Sequence, residues 1–299
     1  MNALNDRRLT MPALWTAVIT PMLEDGRVDF ETLTQLLMRQ ARAGAGVVLL
    51  GSTGEGMNLG SRDREAVVRH ACSLGLDLPL MVGVGGIDLA AQLEWIAFCD
   101  TQPVHAYLLV TPVYAKPGAK GQTAWFKALM DASTRPCMLY HIPGRAAVGL
   151  APEAVEALLG HPRLWAVKES GGQPAQFAAS RQRFPQVAWY SGDDAHFPAH
   201  AAVGACGLVS VASNVWTEAV AAWVRDGVAG RPVSDVLSEA AESLFVAANP
   251  VPVKALMAML GLLPCDGVRV PLSRDDLQSL EPLRAAHERV MALGLKAAA

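Results

Sequence analysis

The chain has 299 residues, of which 52% are apolar and 18% charged; this core-rich composition excludes intrinsic disorder, which needs low hydrophobicity and high net charge. The length fits one large domain of the barrel type with a small appendage. A formal net charge of −3, with no cluster of lysine and arginine along the chain, excludes a nucleic-acid-binding protein.

In chain order, Arg7-Arg8 precedes an apolar run from Leu9 to Leu23 and imitates a twin-arginine leader. Pro12 and Pro21 interrupt that run and no small-residue cleavage site follows it, so export is not expected. Short β-branched or aliphatic runs then recur, each closed by a turn signal and followed by an amphipathic stretch. They predict eight strands, at residues 15–19, 46–50, 80–84, 105–110, 137–141, 164–168, 187–190 and 207–211. Near-continuous apolar runs mark strands covered on both faces, and their spacing leaves room for a crossover helix each time. Asp29 is a candidate N-cap before Leu33, Leu36 and Leu37, with Gly44 closing that helix. Ser61 starts the next one, before Val67, Val68 and Ala71.

Eight strand-plus-helix units in a row predict an α/β fold of the (β/α)8 TIM barrel type over residues 1–231. Residues 195–217 carry no Asp, Glu, Lys or Arg and are long enough to span a bilayer. Pro198, Gly204, Gly207, Ser210, Ser213 and Asn214 make the segment too polar and too broken for that, and a soluble, cytoplasmic protein is expected. Beyond the eighth strand, residues 232–299 predict a C-terminal helical appendage, with helices at 233–248, 251–262 and 275–295. It is too small and too apolar to stand alone. Cys72, Cys99, Cys137, Cys206 and Cys265 never form a Cys-x-x-Cys pair; they read as small buried apolar residues in a reducing compartment.

In a barrel of this type the active site lies at the carboxyl ends of the strands. Lys168 ends the apolar run 164–167 and projects toward the barrel mouth. Burial disfavours its charged form, and only the neutral amine can attack a ketone to form a Schiff base; an ion pair with Glu169 is the alternative. Tyr140 ends the neighbouring strand, as a proton shuttle or as a core aromatic. Arg145, on the loop just after, is a fork for a substrate carboxylate or an ordinary loop arginine. Gly51-Ser52-Thr53-Gly54-Glu55-Gly56 suits a small anion. It lacks the Gly-Lys-Ser/Thr of a P-loop and the glycine spacing of a dinucleotide fingerprint. His196 and His200, four apart beside Asp193 and Asp194, form either a metal set or, on the favoured reading, a helix capped by one of the aspartates with Pro198 in its first turn.

Taken together, Gly51-Ser52-Thr53-Gly54-Glu55, Tyr140-His141-Ile142-Pro143-Gly144-Arg145, Val167-Lys168-Glu169 and Ser191-Gly192-Asp193-Asp194 resemble the signatures of the dihydrodipicolinate synthase / N-acetylneuraminate lyase superfamily. So do Ser210-Val211-Ala212-Ser213-Asn214 and Asn249-Pro250-Val251-Pro252-Val253-Lys254. The resemblance implies a class I, metal-free lyase without cofactor, whose lysine forms an imine with pyruvate in a homotetramer built as a dimer of dimers. It makes Lys168 the Schiff-base lysine and Tyr140 the phenol that relays protons. Ser52 and Tyr114 become the other relay hydroxyls, Tyr114 lent by a neighbouring subunit. Thr53 then binds the pyruvate carboxylate, Arg145 grips the carboxylate of the aldehyde, and Val209 and Gly192 line the pyruvate site through main-chain groups.

The arginine at 145 points to the synthase branch, hence to condensation of pyruvate with aspartate semialdehyde on the route to diaminopimelate and lysine. A related aldolase acting on a sugar acid or hydroxy-oxo acid, a class II metal aldolase using His196 and His200, and a barrel that binds keto acids without turnover are the rivals. The chain departs from the family pattern at Ser52, where threonine is usual, at His141, where asparagine is usual, and at Ala146, where threonine is usual. Ile87, Ala91 and Val113 replace the polar or aromatic groups that bind feedback lysine in some members, so insensitivity to lysine is expected.

Overall fold

A computed structural model of the protein describes residues 11–294; Arg7-Arg8 and the start of the following apolar run lie outside the described residues. Eight parallel strands close a barrel in sequence order: β1 Leu14–Ala17, β2 Gly46–Leu49, β3 Leu80–Val84, β4 Ala106–Val110, β5 Cys137–His141, β6 Leu164–Glu169, β7 Ala188–Ser191 and β8 Gly207–Ser210. β1 closes on β8 with Trp15 opposite Val209 and Thr16 opposite Ser210. Alternate side chains point inward and outward. Trp15, Val48, Met81, Leu108, Met138 and Tyr140 contribute to the barrel interior, and a larger apolar layer lies between the strands and the helices.

Those helices are α1 Phe30–Arg42, α2 Ser61–Ser73, α3 Leu89–Asp100, α4 Ala119–Ala132, the single turn α5 Pro143–Ala146, α6 Pro152–Leu158, α7 Pro174–Arg183, α8 Phe197–Ala202 and α9 Thr217–Val228. Asp29 caps α1 by accepting from the Thr32 amide, and Gly44 follows it in the left-handed region. Three more, α10 Val236–Glu242, α11 Val251–Met259 and α12 Glu281–Ala292, form the C-terminal part. α11 is buried from Val251 to Met257 and packs on the barrel rather than standing apart from it.

Several boundaries differ from the sequence expectation for identifiable reasons. β1 stops at Ala17 because the Ile19 amide donates to the Asn214 side chain instead of to a strand. β2 stops at Leu49 because Leu50 turns into the left-handed region, at φ 57°. The helix expected from residue 275 begins only at Glu281, where Pro282 occupies the first turn; residues 274–276 form a separate short turn. Neither aspartate caps α8, whose N-terminus at His196 has no side-chain cap. Asp194 instead accepts from the Ser210 hydroxyl (2.5 Å) and the Val211 amide (2.8 Å), fixing the turn after β8. Cys206 is exposed and Cys72 half-buried, while the other three cysteines are buried. The uncharged segment 195–217 divides into α8, β8 and a turn. No helix among the described residues is long and apolar enough to cross a membrane.

Candidate active site

β5 and β6 lie side by side with Tyr140 opposite Lys168 and His141 opposite Glu169. Because strand side chains alternate, the first pair faces the interior of the barrel and the second faces out. The Lys168 Nζ sits 4.0 Å from the centre of the Tyr140 ring, and both side chains are buried. Thr111 at the end of β4 donates to the Tyr140 carbonyl (3.0 Å), fixing the strand end that carries the phenol. The Lys168–Glu169 ion pair considered from sequence does not form. The Glu169 carboxylate accepts from the Gly171 amide at 2.6 Å and lies 3.5 Å from the His141 Nε2. Period-two alternation alone was enough to separate the two side chains.

Gly192 passes directly beside the lysine. A Cβ there would lie 2.6 Å from the Lys168 Cε and closer still to the Ser170 hydroxyl, so only glycine admits this approach. Val209, on the inward face of β8, is fully buried among the interior side chains.

The loop after β2 is held from three sides. Thr20 donates to the Gly54 carbonyl (2.7 Å), and the Asn249 amide donates to the Thr53 hydroxyl (2.9 Å). Glu55, itself left-handed at φ 54°, is buried with its carboxylate on the Lys254 Nζ (2.5 Å) and on the Arg269 amide (2.7 Å). The Ser52 and Thr53 amides make no hydrogen bond to a described residue, as an anion-binding turn requires.

A cavity of about 310 Å³ opens over this loop, with Ser52, Val113, Tyr140, Ile142, Arg145 and Asn249 among its walls. Arg145 is exposed at the rim and donates to the Asn249 carbonyl (3.1 Å). Lys168, Thr53, Val209 and Gly192 are not on the cavity wall. Tyr114 is the residue this chain does not bring in: it is 86% exposed, in a left-handed loop conformation at φ 67°. Sequence reasoning gave no role to Asn249, which ties the loop to Arg145. Its signal was a polar residue set beside two prolines at the head of an apolar helix.

The acidic groups nearby are governed by burial. Glu169 is pushed up to about 7 by burial, with the charge of Asp193 acting the same way and the Gly171 amide opposing. Burial also raises Asp193, against the pull of Lys168 and His196, and lowers His141. The histidines of the rival metal set are engaged elsewhere. His200 Nδ1 pairs with the Ser191 hydroxyl (2.8 Å), its ring stacks on Phe177, and His196 Nε2 pairs with the Gly172 carbonyl (2.9 Å). Among the described residues no three His, Cys, Asp or Glu side chains group to hold a metal.

A closed parallel barrel with a buried lysine packed on a phenol at the carboxyl end of its strands has the architecture of a carbon–carbon lyase acting on carbonyl substrates. The chain belongs to the dihydrodipicolinate synthetase family, whose model matches residues 11–289. It is 46% identical over 280 residues to a 4-hydroxy-tetrahydrodipicolinate synthase of Francisella tularensis subsp. novicida, covering 93% of this chain and 95% of that protein. Among solved structures, the 4-hydroxy-tetrahydrodipicolinate synthase of Methylacidiphilum fumariolicum aligns with a TM-score of 0.89 at 30% identity, over 94% of this chain and 96% of that one. The chloride-inhibited dihydrodipicolinate synthase of Acinetobacter baumannii, complexed with pyruvate, aligns at 0.88 and 28% identity, over 96% of this chain and 100% of that one.

Proposed function

We propose that the protein condenses pyruvate with aspartate semialdehyde to 4-hydroxy-tetrahydrodipicolinate through a covalent imine on Lys168, in the cytoplasm and as a homotetramer. The observation that carries this reading is the buried Lys168 amine packed at 4.0 Å on the Tyr140 ring, at the carboxyl end of two adjacent strands. The family and the synthase named among its relatives support the choice of substrates.

The neutral Lys168 amine adds to the pyruvate ketone to give a carbinolamine. Tyr140 hands a proton to the departing hydroxyl, water leaves, and the imine forms. Loss of a methyl proton gives the enamine, whose carbon attacks the aldehyde and leaves a new hydroxyl. The amino group of the semialdehyde then displaces Lys168 from the imine carbon and closes the ring, returning the free amine. Through these steps Thr53 and the Ser52 and Thr53 amides hold the pyruvate carboxylate, beside the main chain of Val209 and Gly192. Ser52 extends the proton relay, and Arg145 holds the carboxylate of the aldehyde. Tyr114, exposed on one subunit, completes the relay of a second copy. No metal or organic cofactor enters any step.

Borohydride reduction in the presence of pyruvate is expected to leave a three-carbon adduct on Lys168, read by mass spectrometry; an unmodified lysine would refute the imine. A coupled assay against a panel of aldehydes is expected to select aspartate semialdehyde. Turnover is expected to be insensitive to lysine, and half-inhibition by sub-millimolar lysine would contradict that.

A further inference from the structure

The inward pair that carries the proposed chemistry has an outward twin. His141 and Glu169 are the next residues along the same two strands and face each other across the same ladder. Both are buried. The Leu150 amide donates to His141 Nδ1 (2.8 Å), so the neutral ring carries its proton on Nε2, aimed at Glu169 Oε1 from 3.5 Å. That distance is just beyond a formed hydrogen bond, and Nε2 has no other partner among the described residues. Gly171 seals the arrangement: a Cβ there would lie 2.6 Å from Glu169 Oε1 and 2.9 Å from His141 Nε2. The main chain is tied to the pair as well, through the Ser170 amide on the His141 carbonyl and the Gly192 amide on the Glu169 carbonyl.

We propose that His141 and Glu169 are positioning residues, a paired clamp on the outside of the barrel wall that sets the approach of Lys168 to Tyr140 on the inside. The inference rests on the catalytic reading of that inner pair. Rotation or slippage of either strand end moves both pairs together, because each pair shares its two backbones with the other. The clamp has two settings. With Glu169 protonated the Nε2–H is held loosely, whereas the ionised carboxylate draws the Nε2–H and Gly171 N–H donors in by charge-assisted bonds. Burial places that change near neutrality, at about 7. Asp193, at the end of β7, adds its charge in the same sense. Lys168 is the cation next along β6. α6, α7, the residue that ends it and β7 face the pair with Pro152, Val155, Gln176, Ser180, Phe184 and Trp189, all uncharged.

The test is kcat across pH 5.5–8.5 for the wild type, Glu169→Gln, Glu169→Ala and His141→Asn, with a separate sample of each trapped with pyruvate and borohydride. Failure of wild-type trapping at Lys168 would sink the imine reading itself, whereas normal trapping leaves the clamp as the question. The ratio of wild-type kcat to that of Glu169→Gln, which keeps the acceptor without its titration, is expected to rise about fivefold through neutrality, the difference between a neutral and a charged hydrogen bond. Glu169→Ala is expected to lose roughly ten- to hundredfold in kcat with little change in the pyruvate KM, as a displaced reacting group does. His141→Asn, which keeps a side-chain donor, is expected to recover part of that loss. A ratio that stays flat or falls with pH overturns the clamp, as does an alanine variant with wild-type kcat. Should the alanine variant not fold, the glutamine profile decides alone.

Discussion

The two ends of the barrel are built on different terms. The end from which the strands start is plugged by aromatic rings in mutual contact, with Trp165 5.5 Å from Tyr190 and 6.1 Å from Trp15, and the Tyr190 hydroxyl satisfied by the Pro12 carbonyl. At the other end the backbone is bent hard. Leu50, Glu55, Tyr114, Lys116 and Ala147, the non-glycine residues with positive φ among the described residues, all follow the carboxyl ends of β2, β4 or β5. Such conformations cost on the order of 1–3 kcal/mol each and persist only where the surroundings over-determine them. One end therefore supplies stability through packing, and the other spends part of it to aim side chains.

That contrast can be broken most sharply at the buried ion pair under the β2 loop. Lys254→Met strands the Glu55 carboxylate in the interior, and the expected loss is about 3–5 kcal/mol of unfolding free energy. Chemical denaturation measures it, and a Glu55→Gln partner in the double variant should restore much of the loss. A single variant as stable as the wild type would mean that the loop does not depend on the pair. Trp15→Ala, at the packed end, is expected to cost about 3–5 kcal/mol by cavity formation while leaving kcat/KM of the folded protein unchanged. A large change in kcat/KM without loss of stability would erase the distinction between the two ends.

Smaller effects sharpen the picture at the mouth. Arg145→Ala should cut kcat/KM for the semialdehyde by roughly ten- to hundredfold, the worth of a charged hydrogen-bonded contact, with the pyruvate KM unchanged. Full retention of semialdehyde turnover would show that Arg145 does not hold that carboxylate. The smallest effect depends on pH. The fold keeps Glu169 protonated up to about 7, against an ordinary value of 4.5. The folded state binds the extra proton between those values, so stability is full on the acid side and is lost as pH rises from about 4.5 through 7. Glu169→Gln removes that loss, and its advantage in thermal unfolding should grow from nothing near pH 4.5 to on the order of 1–3 kcal/mol at pH 8.

The strands were legible because their apolar runs are local, and their ends moved only where a distant partner intervened, as Asn214 does at Ile19. The placement of Lys168, Tyr140, Ser52 and Arg145 was legible because topology alone puts strand ends at one mouth. Asn249 and the Glu55–Lys254 pair were not given roles, since their contacts span 196 and 199 residues of sequence. Asp194 was misassigned for a related reason: a helix cap is a local pattern, while its real partners lie 16 and 17 residues on, at the end of β8 and just past it.

Local chemistry, repeated eight times along the chain, determined the barrel and the residue types at its mouth, because periodicity and turn signals act over a few residues. Tertiary structure alone decided that Glu169, turned from Lys168 by the alternation of its own strand, meets His141. It also decided that the C-terminal helices fasten the β2 loop and that Tyr114 stands outside its own cavity. Those outcomes depend on which backbones come to lie side by side, and that is fixed by closure of the whole barrel rather than by any one stretch of it.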